Sequence, residues 1–191
     1  MKKIIVSLAL TLAVAFTATA DSAKKKAPLK VGDKAPTFQI KDTNGKQIDL
    51  NKLTKKGPVL VRLTCGCLGC DRELPYFQAV HEAYKKQGIQ FLAVFAEPDE
   101  KFAKYVKSKK LNMLYATDPK KQSWPVFGTK TMPSNFLIDK GGKVIAVSKG
   151  CDPSGLIATK IGNQAATLVK ADKVNIKQQV DKNKKPATPK K

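Results

Sequence analysis

Leu63-Thr-Cys-Gly-Cys-Leu-Gly-Cys-Asp-Arg-Glu-Leu-Pro75 packs three of the chain's four cysteines into six residues, at the end of an apolar run and just ahead of a helical pattern. Cys67 and Cys70 form a C-x-x-C pair, which puts two sulfurs on one turn where a helix begins. Such a pair is either a redox couple that opens and closes a disulfide or half of a metal site. The choice turns on the compartment, the surrounding fold and the partners of Cys65 and Cys151.

The elements on either side place this stretch on a strand–helix junction. Upstream, Val59 to Thr64 is almost continuously apolar and reads as a buried central strand, with Arg62 as a charge in need of a partner. Downstream, Leu74, Phe77, Val80 and Tyr84 recur at three- and four-residue spacing until Gly88, which predicts an amphipathic helix over 71–87.

Before the central strand, Phe38 and Ile40 alternate with polar residues, Asp42-Thr-Asn-Gly45 signals a turn, and Ile48 and Leu50 continue the alternation. That is a β-hairpin, followed by a short polar segment over 51–57. After the helix come a buried strand (89–95), a helix (100–109), a short strand (111–117) and an irregular segment around Trp124. Two strands about Gly141-Gly142 follow, then a last helix expected to start at Asp152-Pro153, with a carboxylate cap and proline in the first turn. Strands alternating with helices predict an α/β layer fold.

The ends of the chain read differently. Lys2 and Lys3, the apolar run Ile4 to Phe16 and Ala18-Thr19-Ala20 predict a signal peptide over 1–20 that is removed before Asp21. The mature protein is then expected to be exported, periplasmic or secreted, with no membrane span left. Residues 21–30 read as a basic linker, 31–170 as the folded domain, and the lysine-rich 171–191 as a disordered tail. In an oxidising compartment, four cysteines suggest disulfide chemistry ahead of zinc.

The 191 residues carry 36 Lys and Arg against 15 Asp and Glu, a formal charge of +21. The lysines are widely spread and gather in the two tails without an aromatic platform. That argues for electrostatic contact with an anionic envelope and against nucleic-acid recognition.

Four landmarks in order resemble the thioredoxin superfamily, and within it the TlpA/ResA-like thiol–disulfide oxidoreductases and their AhpC/TSA redoxin relatives. They are Val31-Gly-Asp-Lys-Ala-Pro36, the Asp42–Gly45 turn, Cys67-Leu-Gly-Cys70-Asp-Arg-Glu73-Leu-Pro75, and Met132-Pro133-Ser-Asn-Phe-Leu-Ile-Asp139 with Gly141-Gly142. The resemblance implies a thioredoxin-like fold with an N-terminal β-hairpin and a central mixed sheet flanked by helices. It implies that Cys67 attacks, Cys70 resolves, Glu73 handles protons, and Pro133 is a cis-proline beside the redox-active disulfide. The partners it implies are protein thiols or disulfides and an upstream redox donor, with no cofactor. A helix N-terminus lowers a thiol's pKa, so Cys67 is expected to be the more acidic sulfur.

Three departures stand out: Gly66 replaces the usual aromatic residue before the attacking cysteine, Leu68-Gly69 is an uncommon dipeptide, and Cys65 is an extra thiol. Two other readings compete. A peroxiredoxin-like thiol peroxidase would match Thr64 three residues before Cys67. It lacks the pattern's proline, whose place Leu60 takes, and its arginine. A copper- or zinc-binding envelope protein would use the thiols as ligands, with Cys65 and Cys151 as accessory members. By strand spacing Cys151 should lie about 10 Å from the Cys65–Cys67 turn. A static Cys65–Cys151 bridge or unpaired thiols are equally open. His81 reads as a surface residue, and Trp124 as partial core or a substrate contact.

Overall fold

The computed structural model describes residues 27–183; the expected signal peptide, most of the linker and the end of the tail lie outside them. Strands β1 (Gln39–Lys41) and β2 (Gln47–Asp49) form an antiparallel hairpin. Its turn is held by Asp42, whose carboxylate accepts the N–H groups of Asn44 and Lys46. Helix α1 (Leu50–Lys56) follows at once, where a polar segment was expected. Asp49 caps it by accepting the N–H of Lys52, and Leu50 and Thr54 are buried beneath it.

The remaining elements are β3 (Val59–Thr64), α2 (Leu68–Tyr84), β4 (Gln90–Phe95), α3 (Asp99–Lys109), β5 (Leu114–Thr117), α4 (Ser123–Val126), β6 (Ser134–Ile138), β7 (Val144–Lys149), α5 (Leu156–Leu168) and α6 (Ile176–Asn183). The five-stranded sheet has the order β5-β4-β3-β6-β7. Strands β3, β4 and β5 run parallel, and β6 and β7 are antiparallel additions on the other side of β3. This is the expected mixed sheet flanked by helices.

Strand alternation divides the core into two layers. Val59, Val61 and Leu63 face one way, toward Leu50, Phe38, Trp124 and Phe127. Leu60 faces the other way with Phe77, Val80, Tyr84, Ile161 and Ala165 from the helices. Arg62, two residues along from Leu60, shares its face and therefore points at α2, where Glu73 meets it.

Two boundaries differ from expectation. The last helix starts at Leu156, later than Asp152-Pro153 suggested, because Asp152 binds the N–H groups of Ser154 and Ile157 and holds a turn ahead of the helix. The stretch expected to be a disordered tail from 171 contains α6, which docks on α2 and α5. Ile176 is fully buried there, Tyr84 Oη accepts the N–H of Val174 at 2.9 Å, and Tyr76 Oη donates to Asp181 at 2.8 Å. Ile176 and Val180, four residues apart, give that short helix one apolar side despite its lysines. The folded unit therefore runs past the expected limit at 170. At the other end, Leu29 of the expected linker already packs against the core.

Candidate active site

The sulfur cluster is assembled at one end of the sheet. β3 delivers Cys65, the N-terminus of α2 carries Cys67 and Cys70, β6 begins after Pro133, and Cys151 follows β7. The register that pairs Leu63 with Ser134 puts Pro133 beside Thr64. The Met132–Pro133 peptide bond is cis. Pro133 O accepts the N–H of Gly150 at 2.8 Å, which brings the Cys151 loop to the same end.

Cys65 Sγ lies 2.9 Å from Cys67 Sγ and 3.4 Å from Cys70 Sγ, and Cys67 and Cys70 are themselves 3.4 Å apart. All four cysteines are free thiols, with Cys67 and Cys151 exposed, Cys65 half-buried and Cys70 buried. Cys151 comes much nearer than strand spacing suggested, because its loop folds back over the start of α2. A Cβ placed on Gly69 would lie 3.0 Å from Cys151 Sγ. Cys151 thus stands over the C-x-x-C turn, against Gly69, and the Cys65–Cys151 bridge considered above is not formed.

The thiols are electrostatically unequal. Cys67 is the N-cap of α2, with extended backbone. The hydrogen bond from the Cys65 thiol and then the backbone N–H groups of Cys70 and Gly69 lower its pKa. Burial, followed by donation to Cys67, pushes the Cys65 thiol up. Burial and the neighbouring Cys70 push Cys151 up to about 11. Of the thiols at this end, Cys67, the exposed sulfur, is the one whose charged form its surroundings favour.

The Cys65-Gly66-Cys67 turn is fixed from the α3 side. Glu97 Oε1 accepts the N–H of Gly66 at 2.6 Å. A Cβ on Gly66 would sit 3.1 Å from the Tyr105 ring. Tyr105 Oη in turn donates to Asp71 at 2.5 Å, and Lys109 bridges Asp71 at 2.6 Å. Glycine at position 66 therefore lets the Tyr105 ring of α3 pack closely on the turn.

Glu73 is fully buried, one turn beyond Cys70. It pairs with Arg62 at 2.7 Å, and Arg62 also donates to Asn135 Oδ1 at 2.9 Å and lies 4.3 Å from the Phe77 ring. The other Glu73 oxygen accepts the N–H of Asp152 at 3.4 Å, anchoring the loop that bears Cys151. Burial pushes the Glu73 carboxyl above its ordinary value, against the opposing guanidinium.

Other residues singled out in the sequence lie elsewhere. His81 is half-buried, edge-on to Phe91 with ring centroids 6.1 Å apart, and not the surface residue expected. Trp124 is core, its Nε1 donating to Thr131 O at 3.3 Å. Sequence reasoning did not pick out Glu97, Tyr105 or Asn135, because each reaches the site only through tertiary packing. A cavity of about 460 Å³ lined by Thr37, Ile40, Asp118 and Val126 includes none of the thiols. The Cys67 sulfur is instead on the exposed surface beside Leu68, where a macromolecule can reach it.

The chain has clear relatives. The model of the AhpC/TSA family matches residues 31–147. Among curated proteins, the chain is similar to the thiol-disulfide oxidoreductase ResA of Bacillus cereus, 34% identical over 149 residues covering 78% of this chain and 86% of the relative. ResA of Bacillus subtilis is 32% identical over 133 residues, 69% and 74% of the two chains. Among solved structures, a protein described as the thiol:disulfide interchange protein DsbE of Chlorobium tepidum superposes with a TM-score of 0.64 at 30% identity, covering 72% of this chain and 98% of that one. The thioredoxin domain of a Bacteroides vulgatus thiol-disulfide oxidoreductase has a TM-score of 0.60 at 26% identity, with coverages of 71% and 99%.

Proposed function

This chain belongs to the AhpC/TSA family and is a ResA-like thiol–disulfide oxidoreductase of the thioredoxin superfamily, and on that premise we propose that Cys67 is its attacking thiol and Cys70 its resolving thiol. The observation that carries this reading is the lowered pKa of an exposed Cys67 Sγ, 3.4 Å from the buried Cys70 Sγ. The Cys67 thiolate attacks a disulfide of a protein substrate and displaces one substrate thiolate, which takes up a proton. Cys70 then attacks Cys67 Sγ, the second substrate thiol leaves, and the Cys67–Cys70 disulfide remains. An upstream donor restores the dithiol.

Glu73 supports the pair from below. Its elevated pKa suits a group that takes and returns a proton as the thiols change state. Pro133, beside Thr64, borders the surface along which an extended substrate segment lies. We read the protein as exported, on the strength of Lys2-Lys3, the apolar run 4–16 and Ala18-Thr19-Ala20. No helix among the described residues is long and apolar enough to cross a membrane. The resemblance to ResA favours work as a reductant of protein disulfides.

The test is disulfide-exchange turnover in the wild type and in Cys67→Ser. Loss of turnover in the variant, with an unchanged fold, supports the reading. Undiminished turnover refutes the choice of nucleophile.

A second reading rests on the three Sγ atoms of Cys65, Cys67 and Cys70, which lie within 4.8 Å of one another. Soft thiolates at that spacing could hold Cu(I) or zinc. Stoichiometric metal in the purified protein, with thiols unreactive until it is removed, would favour that role. The peroxidase reading is weaker, because Arg62 is occupied by Glu73 and Asn135 and so is turned to α2.

A further inference from the structure

A C-x-x-C couple needs one resolving thiol, and this site holds two candidates. Cys65 Sγ stands 2.9 Å from Cys67 Sγ, closer than Cys70 Sγ at 3.4 Å. The closeness is built in and not incidental to the turn. Glu97 grips the Gly66 N–H at 2.6 Å, and the Tyr105 ring would crowd a Cβ at 66 at 3.1 Å. Together they fold Cys65 and Cys67 onto the same side. Cys65 is also within 3.4 Å of Cys70, so every pair among these three sulfurs is in reach.

We propose that Cys65 is a second resolving thiol, able to release substrate from Cys67 by forming a Cys65–Cys67 disulfide and to pass that disulfide on to Cys70. The inference rests on the reading of Cys67 as the attacking thiol. In the first step, Cys67 is joined to one substrate sulfur. Cys65, after giving up its proton, attacks Cys67 Sγ. The Cys67–substrate bond breaks, and the substrate sulfur leaves with the bonding electrons and takes up a proton. The substrate has then been reduced by two electrons, and Cys65 and Cys67 have been oxidised by two.

In the second step Cys70 loses its proton and attacks Cys67 Sγ. Cys65 leaves and is protonated, and the oxidised pair is now Cys67–Cys70. No outside oxidant or reductant enters either step beyond the substrate disulfide.

Donation by Cys65 fits both states of the cycle. While Cys67 is a free thiolate, Cys65 donates to it and stabilises its charge. Once Cys67 is in a mixed disulfide that charge is gone, the donation has no purpose, and Cys65 is left in contact with the sulfur it must attack. The ring closed by Cys65-Gly66-Cys67 is one residue shorter than that of Cys67–Cys70. Shorter rings tolerate disulfide geometry less well, so the exchange runs toward Cys67–Cys70.

The test uses Cys70→Ser combined with Cys151→Ser, which removes the usual resolver and the thiol over Gly69. The reduced protein receives a limiting amount of the aromatic disulfide 5,5′-dithiobis(2-nitrobenzoate). Attack by Cys67 frees one half of the reagent and leaves the other on the protein. If Cys65 resolves, the second half is released in a first-order phase independent of protein concentration, and peptide mapping finds a Cys65–Cys67 disulfide. Adding Cys65→Ala must abolish that phase and leave the adduct on Cys67.

The proposal is overturned if the adduct on Cys67 persists while Cys65 is present. Cys70→Ala in place of Cys70→Ser repeats the measurement should the serine variant fold poorly, with the same two outcomes. Failure of the underlying reading looks different: the adduct would then form on a residue other than Cys67.

Discussion

Cys67 owes its acidity first to a neighbouring thiol and only then to the helix it caps. Replacing Cys65 by alanine removes that donor, so the Cys67 pKa should rise toward its ordinary value, with water around the exposed sulfur taking over part of the donation. The pH profile of Cys67 alkylation by iodoacetamide reads this directly in a Cys70→Ser/Cys151→Ser background, with and without Cys65, the alkylated residue being identified by peptide mapping. An inflection that stays put or moves down would contradict the assignment. The sequence exposed the residue types here but not their division of labour. Cys65 looked like a surplus thiol because nothing in C-x-C-x-x-C says which sulfur donates to which.

Arg62 and Glu73 form a buried ion pair behind the thiols. Each could be seen in the sequence, one as a charge without a partner and the other as a helix glutamate, yet their meeting depends on strand alternation turning Arg62 toward α2. Removing one member strands a buried charge, so Glu73→Ala should lower stability by about 3–5 kcal/mol, whereas replacing both by apolar residues should recover most of it. Denaturant unfolding of the three proteins decides.

The pair also sets a pH dependence. Glu73 has a folded pKa above its ordinary value of 4.5. As pH rises through that value, the unfolded chain ionises before the folded one, and the native state loses stability until the folded carboxyl ionises too. Relative to Glu73→Gln, which does not titrate, the wild type should therefore weaken as pH climbs from 4 toward neutrality. A wild type that strengthens over that range would show that Arg62 dominates and the pKa is lowered.

Among the elements, the hairpin, β3, α2 and the β6–β7 pair could be read in advance, since each has a clean period and a turn signal at its end. Helices α1 and α6 could not. Asn51 to Lys56 offers little apolar periodicity, and what holds α1 is the Asp49 cap together with burial of Leu50 and Thr54 under the hairpin side of the sheet. Around α6, lysines and the two prolines that follow, Pro186 and Pro189, hide Val174, Ile176 and Val180, apolar positions that dock it. Ile176→Ala should cost about 2–5 kcal/mol, the range for emptying a fully buried aliphatic site. If denaturant unfolding shows no loss, α6 is not part of the cooperative unit. Glu97 and Tyr105 were invisible for a related reason. They sit on and just before α3, which contacts the C-G-C turn only after β4 has been laid beside β3.

For the whole molecule, the sheet order explains why chemistry gathers at a single end. Parallel β3 and β4 deliver Cys65 and Glu97 there, and antiparallel β6 and β7 bring Pro133 and Cys151 to the same end from opposite chain directions. Cys67 and Leu68 are exposed there, an accessible surface suited to a protein substrate. The chain carries a formal charge of +21, with lysines spread along it. They would favour acidic partners or an anionic envelope, and binding of that kind weakens as salt screens it.

The account depends above all on which sulfur first bonds to substrate. The direct measurement is peptide mapping of the mixed disulfide trapped when the Cys65→Ala/Cys70→Ala variant meets a disulfide-bonded protein substrate, with both nearby resolving thiols removed. The account predicts one adduct, on Cys67. An adduct on Cys151, or no trapped adduct from a folded protein, would contradict it.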